Sequence, residues 1–280
     1  MRSEQEMYGL ILGFAEADQR VRAVLLNGSR ANPNAPRDQY QDYDIVYVVR
    51  DFLSFQADEG WLDRFGERLI LQKPEAMRDP CGDGSFNWMM LFTDGNRLDL
   101  TLLPVEKPAL LAQDSLTVAL LDKDGLLPAY PPASDRDYLV KPPDALYYRS
   151  CCNNFFWCLQ NVAKGIARDE LPYAMEMYHT VVLRELHDML SWYIGVDTGF
   201  QVSAGKMGKY FKRYLPEDLY RRYLAVYSGA DPLSFWAAID SAAGLFHLAA
   251  AAVGASLGYP YRQDEEDGIR AYLRMLRSGV

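Results

Sequence analysis

The amino-acid sequence predicts an α+β protein in which a mixed β-sheet domain with helices is followed by an α-helical bundle domain. Short β-rich runs alternate with helical ones over the first half of the chain, a proline-rich stretch follows at 127–143, and nearly everything after it has helical periodicity. The 280 residues suit two ordinary domains. We place these domains at 1–135 and 136–280.

The first half changes periodicity repeatedly, as expected for a sheet with a few helices. Leu10, Ile11 and Phe14 recur at helical spacing and predict an opening helix. The sequence Asp94-Gly95-Asn96 predicts a hairpin because glycine supplies the positive φ of a tight turn. In chain order the predicted elements are a helix at 7–18, strands at 21–26 and 45–49, a short helix at 61–65, and strands at 68–72, 88–93 and 97–103.

The second half begins after five prolines at 127–143, which we interpret as the connection between domains. The segment at 237–257 is the most apolar, but it carries Asp240, Ser241 and His247, so we predict a buried helix and no membrane span. Pro216 and Pro232 stand where the first turn of a helix tolerates proline. The predicted helices are 145–169, 173–194, 206–215, 216–227, 232–253 and 267–276.

The charge and the cysteines narrow the class of protein. A formal net charge of −9 argues against a protein that grips nucleic-acid phosphates, and it suits either a cationic small substrate or simple solubility. No apolar signal-peptide core follows Met1, and the four cysteines show neither a disulfide framework nor metal-ligand spacing. We therefore expect a cytoplasmic protein with buried, reduced thiols.

Three aspartates, Asp42, Asp44 and Asp99, lie in or beside apolar runs that are predicted strands. Because side chains alternate along a strand, Asp42 and Asp44 project on the same side, where their carboxylates repel each other. A divalent cation offsets that repulsion, and a third carboxylate from another strand completes an oxygen cage of the kind that Mg²⁺ takes when it also holds phosphates. The pattern indicates metal-assisted chemistry on a nucleotide.

A Gly-Ser turn precedes these aspartates, at the end of the first predicted strand. Gly28 would let backbone amides come close to a ligand, and a helix or nest beginning at Ser29 would present its N–H groups to a triphosphate. Arg30 could add charge-assisted hydrogen bonds to phosphate oxygens. An Asp-x-Asp pair alone would equally suit an exposed strand edge, but its combination with the turn and with Asp99 favours a metal–nucleotide site.

The Gly-Ser turn, the Asp-x-Asp pair and the later aspartate together resemble the polymerase β-like nucleotidyltransferase superfamily. Longer strings span nearly the whole chain and include LNGSRANP at 26–33, QDYDIVYVV at 41–49, DGNRLDLTL at 94–102, LDKDG at 121–125 and CCN at 151–153. These strings are similar to the aminoglycoside 6-adenylyltransferases, the streptomycin-modifying enzymes. The family usually has an acidic residue at the position of Asn154 and a second Trp at that of Phe156, so these two departures bear on preference among aminoglycosides.

The resemblance implies a nucleotidyltransferase domain that uses Mg²⁺ and ATP. It implies transfer of AMP to the 6-hydroxyl of streptomycin with release of pyrophosphate, which inactivates the antibiotic and confers resistance. In that reaction Asp42 and Asp44 would hold Mg²⁺, while Ser29 and Arg30 would bind the β- and γ-phosphates. Asp99 would complete the metal site or take the proton from the attacking hydroxyl.

By the same resemblance the helical domain would close over the drug. Streptomycin carries two guanidinium groups, which an acidic patch of Asp169, Glu170 and Glu176 would attract, with Asp169, Glu176 and Trp157 as the expected contacts. Helix termini in water explain the same acidic residues. Another aminoglycoside or a lincosamide as acceptor, or a non-catalytic nucleotide-binding regulator, are the alternatives. We expect a small-molecule partner, no nucleic acid or membrane, and a monomer or weak homodimer.

Overall fold

The computed structural model describes residues 1–80, 82–107 and 114–279, and the chain divides into two compact units, Met1–Asp137 and Tyr138–Val280. The first unit is a mixed sheet with helices and the second is helical, so the predicted α+β class is confirmed. The predicted boundary after residue 135 and the roles assigned to the two domains stay predictions.

The first unit is built on one six-stranded sheet with the strand order β3-β4-β5-β2-β1-β6. Strands β2 and β5 pair in parallel, and the other neighbours are antiparallel. Single 3₁₀ turns lie at Gly60–Phe65, Pro74–Ala76 and Arg136–Tyr138, the last running across the division between the units. In chain order the elements are α1 Glu4–Ala17, β1 Val21–Asn27, α2 Gly28–Ala31, β2 Tyr43–Val49, α3 Phe52–Ala57, β3 Arg68–Gln72, β4 Phe86–Phe92, β5 Arg97–Pro104 and β6 Val118–Asp122.

Most predicted elements of this unit are present with shifted ends. Helix α1 begins three residues before its predicted start because Ser3 and Glu6 form a capping box at its N-terminus. The hairpin predicted at Asp94-Gly95-Asn96 is confirmed, with Gly95 at φ +86°. The prediction lacked β6, an edge strand of five residues that pairs only with β1 and shows little alternation of buried and exposed residues.

The second unit is all-helical in its described residues, and two of its predicted helices differ from the structure. The segment predicted as one helix at 173–194 is helical throughout, but a π-helical turn at Tyr178–Val182 divides it into two α-helices. The helix predicted at 206–215 is wrong over its first half, because Gly205 and Met207 have φ of +74° and +56° around a 3₁₀ turn. The α-helices are α4 Ala145–Ala167, α5 Leu171–Met177, α6 Leu183–Asp197, α7 Phe211–Tyr214, α8 Glu217–Leu224, α9 Pro232–Leu257 and α10 Gln263–Arg277.

Helix α9 contributes many of the buried residues of this unit. Among the described residues it is the one helix long and apolar enough to cross a membrane, but 56% of its most apolar stretch is buried inside the unit. Phe246 stacks on Phe155 of α4 with ring centroids 3.8 Å apart. The three free cysteines on α4, at 151, 152 and 158, are buried as predicted, while the fourth, at 81, lies outside the described residues.

Candidate active site

The sheet brings the three predicted aspartates to one edge. Asp44 on β2 is in register with Asp99 on the parallel strand β5 and with Asn27 on the antiparallel strand β1. Asp42 immediately precedes β2, and Gly28 immediately follows β1. Because neighbouring strands lie about 4.8 Å apart, this pairing fixes Asp44 and Asp99 side by side. We call Asp42, Asp44 and Asp99 the three-aspartate site.

The structure explains why a glycine stands at position 28, apart from any contact with a ligand. Gly28 begins α2 with φ +68°, and a Cβ built on it would lie 2.2 Å from Oδ2 of Asp44. A side chain at this position would therefore occupy the space that the Asp44 carboxylate needs. The glycine and the aspartate define one cradle between β1 and β2.

The Asp44 carboxylate is half-buried and makes no hydrogen bond or direct ion pair within the described part of the chain. Burial, followed by the charges of Asp99 and Asp42, raises the pKa of Asp44 to about 6. A carboxylate held in this way is destabilised when ionised, and a cation placed beside it would relieve the cost.

Arg97 lies against the other two aspartates. Its Nε and Nη2 donate to the two carboxylate oxygens of Asp99 at 2.8 and 2.6 Å, and its Nη1 is 3.3 Å from Oδ2 of Asp42. Burial raises the pKa of Asp42, an effect that Arg97 opposes and the charge of Asp99 reinforces. One guanidinium thus balances two carboxylates, while Asp44 has no direct counter-ion.

The donor set fits a hard divalent cation, but the side chains do not form a finished cage. In residues 1–80, 82–107 and 114–279, no three His, Cys, Asp or Glu side chains are arranged to hold a metal ion as they stand. Three carboxylates, one of them without a counter-ion, are the oxygen ligands that Mg²⁺ prefers. The predicted shared metal position for Asp42, Asp44 and Asp99 stays a prediction, and it requires Arg97 to release carboxylate oxygens.

A cavity of about 450 Å³ opens at this edge of the sheet, a size suited to a nucleotide. Sequence reasoning missed two of its lining residues, Asn87 and Thr101, whose side chains hydrogen-bond to each other. The signal was available for Thr101, since alternation along β5 puts it on the same face as Asp99. A larger cavity of about 770 Å³ beside α1 contains none of the predicted site residues.

Ser29 and Arg30 lie in the short helix α2. The Ser29 hydroxyl makes no hydrogen bond within the described residues. The Arg30 side chain is buried, donates to the carbonyls of Gln41 and Asp42 at 2.8 and 3.1 Å, and stacks on Tyr43 at 3.7 Å. Arg30 thus fixes the segment that carries Asp42, and its predicted contact with phosphate stays a prediction.

The helical residues predicted to contact the drug are exposed but spread out. Trp157 is 63% exposed on α4, Asp169 follows that helix with φ +59°, and Glu176 is exposed on α5. Asp169 is twelve positions after Trp157, a separation of about 18 Å at the rise of a helix, so the two side chains do not share a small binding pocket. Their predicted drug contacts stay predictions.

A different group of acidic and aromatic residues lies between α4 and α6, and the sequence reasoning missed it. Asp188 has a raised pKa because of burial and the charge of Glu185, and its Oδ2 is 3.5 Å from the hydroxyl of Tyr147. Tyr147 packs edge-to-face on Trp192. The spacing 185, 188, 192 places all three residues on one face of α6, a signal that was present in the sequence. We call Tyr147, Glu185, Asp188 and Trp192 the acid–aromatic cluster.

The two departures from the family pattern have different surroundings. Asn154 donates to Oε1 of Glu185 at 2.7 Å, so it adjoins the acid–aromatic cluster. Phe156 is 4% exposed and packs against Phe155 and Phe246, so it belongs to the core of the helical unit. Of the two, only Asn154 lies beside groups that could meet a substrate.

A mixed sheet that sets Gly28, Asp44 and Asp99 around one cavity, with Ser29 and Asp42 next to them in the chain, is typical of a nucleotidyltransferase. Comparison with known proteins gives the family. A sequence model described as streptomycin adenylyltransferase matches residues 1–276, and the chain belongs to that family. The resemblance predicted from the sequence strings is confirmed, and the chain is an enzyme of the adenylyltransferase class.

Three relatives named aminoglycoside 6-adenylyltransferase align along most of the chain. The one from Campylobacter jejuni is 41% identical over 263 residues, covering 93% of this chain and 91% of the relative. Those from Bacillus subtilis (strain 168) and Staphylococcus aureus are 39% and 36% identical and cover 97% and 81% of this chain, and 97% and 82% of their own lengths. A crystal structure of an aminoglycoside 6-adenyltransferase from Bacillus subtilis shares 35% identity over 99% of both chains, with a TM-score of 0.49.

The cradle predicts that Gly28→Ala lowers activity far more than a positive φ alone would. Its Cβ would displace the Asp44 carboxylate, and a displacement of about 1 Å at a reacting centre costs about 10²-fold in rate. Gly125→Ala is the matched control because Gly125 has φ +66° and open space around its Cβ position. Equal losses of kcat in the two variants, measured at matched folded fraction, would contradict the assignment.

The raised pKa of Asp44 predicts a pH-dependent stability. The folded-state pKa of about 6 exceeds the ordinary 3.8, so the stability that protonated Asp44 contributes is present below about pH 4 and is lost as the pH rises through 6. Asp44→Asn should therefore raise the Tm measured in EDTA at pH 7.5, and should raise it less at pH 5. The exposed Asp79→Asn serves as control; a Tm gain independent of pH would argue against the shift.

Proposed function

We propose that this enzyme transfers AMP from ATP to a hydroxyl of an aminoglycoside, the 6-hydroxyl of streptomycin, and releases pyrophosphate. The observation that carries the proposal is the register of β2 with β5, which places Asp44 and Asp99 beside the turn that begins α2. The names of the family and of relatives at 36–41% identity support the class of acceptor.

Asp42 and Asp44 hold the Mg²⁺ that accompanies ATP in this proposal, and the metal, when bound, neutralises charge as pyrophosphate leaves. Gly28 lines the cavity, and Ser29 follows it in α2, so the Ser29 hydroxyl and the backbone N–H groups of α2 would be the donors to the phosphates. Arg30 contributes to the metal site indirectly, because its hydrogen bonds hold the backbone of residues 41 and 42 in place.

Asp99 either ligates the metal or accepts the proton of the attacking drug hydroxyl. The hydroxyl attacks the α-phosphorus in line with the departing pyrophosphate, so its proton must leave as the new bond forms. Asp99 stands next to Asp44 in strand register and borders the same cavity. A carboxylate in this place can serve either purpose, and substitution by asparagine removes both.

The acceptor is a cation, which suits the net charge of −9 of this chain. Within the helical unit, the acid–aromatic cluster offers two carboxylates and the exposed ring of Tyr147, which packs on the buried Trp192; carboxylates and aromatic rings bind guanidinium by charge-assisted hydrogen bonds and stacking. We favour this cluster over Asp169, Glu176 and Trp157 because its residues are close together. Modification of the drug in the cytoplasm, where ATP is plentiful, would give antibiotic resistance.

Asp99→Asn should lower kcat for pyrophosphate release by about 10²–10⁴-fold, because the loss removes a general base or a metal ligand. ATP binding, measured by calorimetry, should change little. The exposed Asp79→Asn is the control with the same change of charge. Turnover at the wild-type rate in Asp99→Asn would remove Asp99 from the reaction.

An acceptor panel tests the substrate. With ATP and Mg²⁺, pyrophosphate release should require streptomycin and should be weaker with an aminoglycoside that lacks guanidinium groups, or with a lincosamide. Release with another acceptor but none with streptomycin would contradict the named substrate. ATP binding without release for any acceptor would favour a nucleotide-binding regulator.

Asp188→Asn should raise the KM for streptomycin by about tenfold with a smaller change in kcat, because a charge-assisted contact made before the chemical step is lost. Glu176→Gln on α5 is the comparison, and it should leave the KM near the wild-type value. The reverse result would return the drug contact to the patch predicted from the sequence.

A further inference from the structure

Arg97 occupies a position that the proposed reaction does not explain. Strand alternation puts Arg97 and Asp99 on the same face of β5, two residues apart. The Arg97 guanidinium donates two hydrogen bonds to the Asp99 carboxylate, at 2.8 and 2.6 Å, and its Nη1 lies 3.3 Å from Oδ2 of Asp42. The same carboxylate oxygens are the ligands that a divalent cation would need.

We propose that Arg97 is an internal counter-ion that competes with the divalent cation for Asp42 and Asp99, and that it positions Asp99 until the metal and nucleotide arrive. The proposal rests on the proposed function, in which the three-aspartate site holds the metal. It makes Arg97 a positioning residue, since it acts through the two carboxylates it contacts.

The competition follows from the charges around the site. A bidentate guanidinium–carboxylate pair is among the stronger hydrogen-bonded arrangements, and Asp99 is mostly shielded from solvent, with 20% of its side chain exposed. A metal ion that recruits Asp99 must first break this pair. Among the described residues Asp44 has no such partner, and it lines the cavity, so it is the carboxylate open to the first contact with a cation.

The arrangement has a consequence for the free enzyme. Metal alone should bind weakly, because Arg97 already offsets part of the negative charge and occupies two of the three ligands. Phosphates that enter with the metal offer Arg97 an alternative anionic partner. Arg97 therefore couples metal binding to the presence of nucleotide.

The test measures Mn²⁺ affinity of the free enzyme, without ATP, from the electron paramagnetic resonance signal of unbound Mn²⁺. Arg97→Gln should bind Mn²⁺ about tenfold more tightly than wild type, and Arg97→Lys, which keeps the charge but loses the planar fork, should fall between them. Arg22→Gln is the matched control, since Arg22 is also a strand arginine that grips one carboxylate, that of Asp124. It should leave Mn²⁺ affinity unchanged.

Two background variants separate the possible failures. Asp44→Asn should abolish the Mn²⁺ binding; if binding persists, the proposed metal site is wrong. If binding depends on Asp44 but Arg97→Gln binds Mn²⁺ no more tightly than wild type, the counter-ion proposal is wrong and the metal site stands. In Asp99→Asn, the gain from Arg97→Gln should shrink, and an undiminished gain would also overturn the proposal. Should Arg97→Gln fail to fold, Arg97→Lys alone decides, with wild-type affinity counting against the proposal.

Discussion

The parallel pairing of β2 with β5 is the constraint on which the rest of the sheet unit depends. It places Asp44 beside Asp99 through backbone hydrogen bonds, so the position of these carboxylates does not depend on their own attraction or repulsion. Apolar neighbours on the same strands, Ile45 and Leu100, are buried and supply the stability that the charged edge lacks. The core of the sheet thus offsets the cost of an ionised Asp44.

Two arginines stabilise the three-aspartate site through different contacts. Arg30 is buried and acts on the backbone of the segment that carries Asp42. Arg97 is partly exposed and acts on the carboxylates of Asp42 and Asp99 themselves. The contact of Arg30 with the backbone is structural, because the Arg30 side chain is buried. The contact of Arg97 with the carboxylates is within reach of solvent and ligands, so it is the one that can change during a reaction cycle.

The features that could be predicted from the sequence are those that depend on neighbouring residues in the chain, such as most strands and the aspartates beside them. Alternation and apolar runs gave five of the six strands, and the aspartates stood out because isolated carboxylates are costly beside apolar strands. The edge strand β6 was missed because it is short and shows little alternation of buried and exposed residues. The break in the helix predicted at 206–215 was missed because Met207 has a positive φ that its residue type does not favour. Which groups pair with Arg30 and Arg97, and that Tyr147 of α4 meets the acidic face of α6, depends on packing that no single segment encodes.

The close approach of Gly28 to Asp44 means that these two positions are expected to evolve together. While the carboxylate is kept, any side chain at position 28 forces it to move, so a change at position 28 disturbs the use of position 44. Once the carboxylate is gone, the glycine has only its backbone conformation to preserve. In descendants that have lost the chemistry, these two positions should drift together, and an alignment of such lineages would record the loss as a paired change.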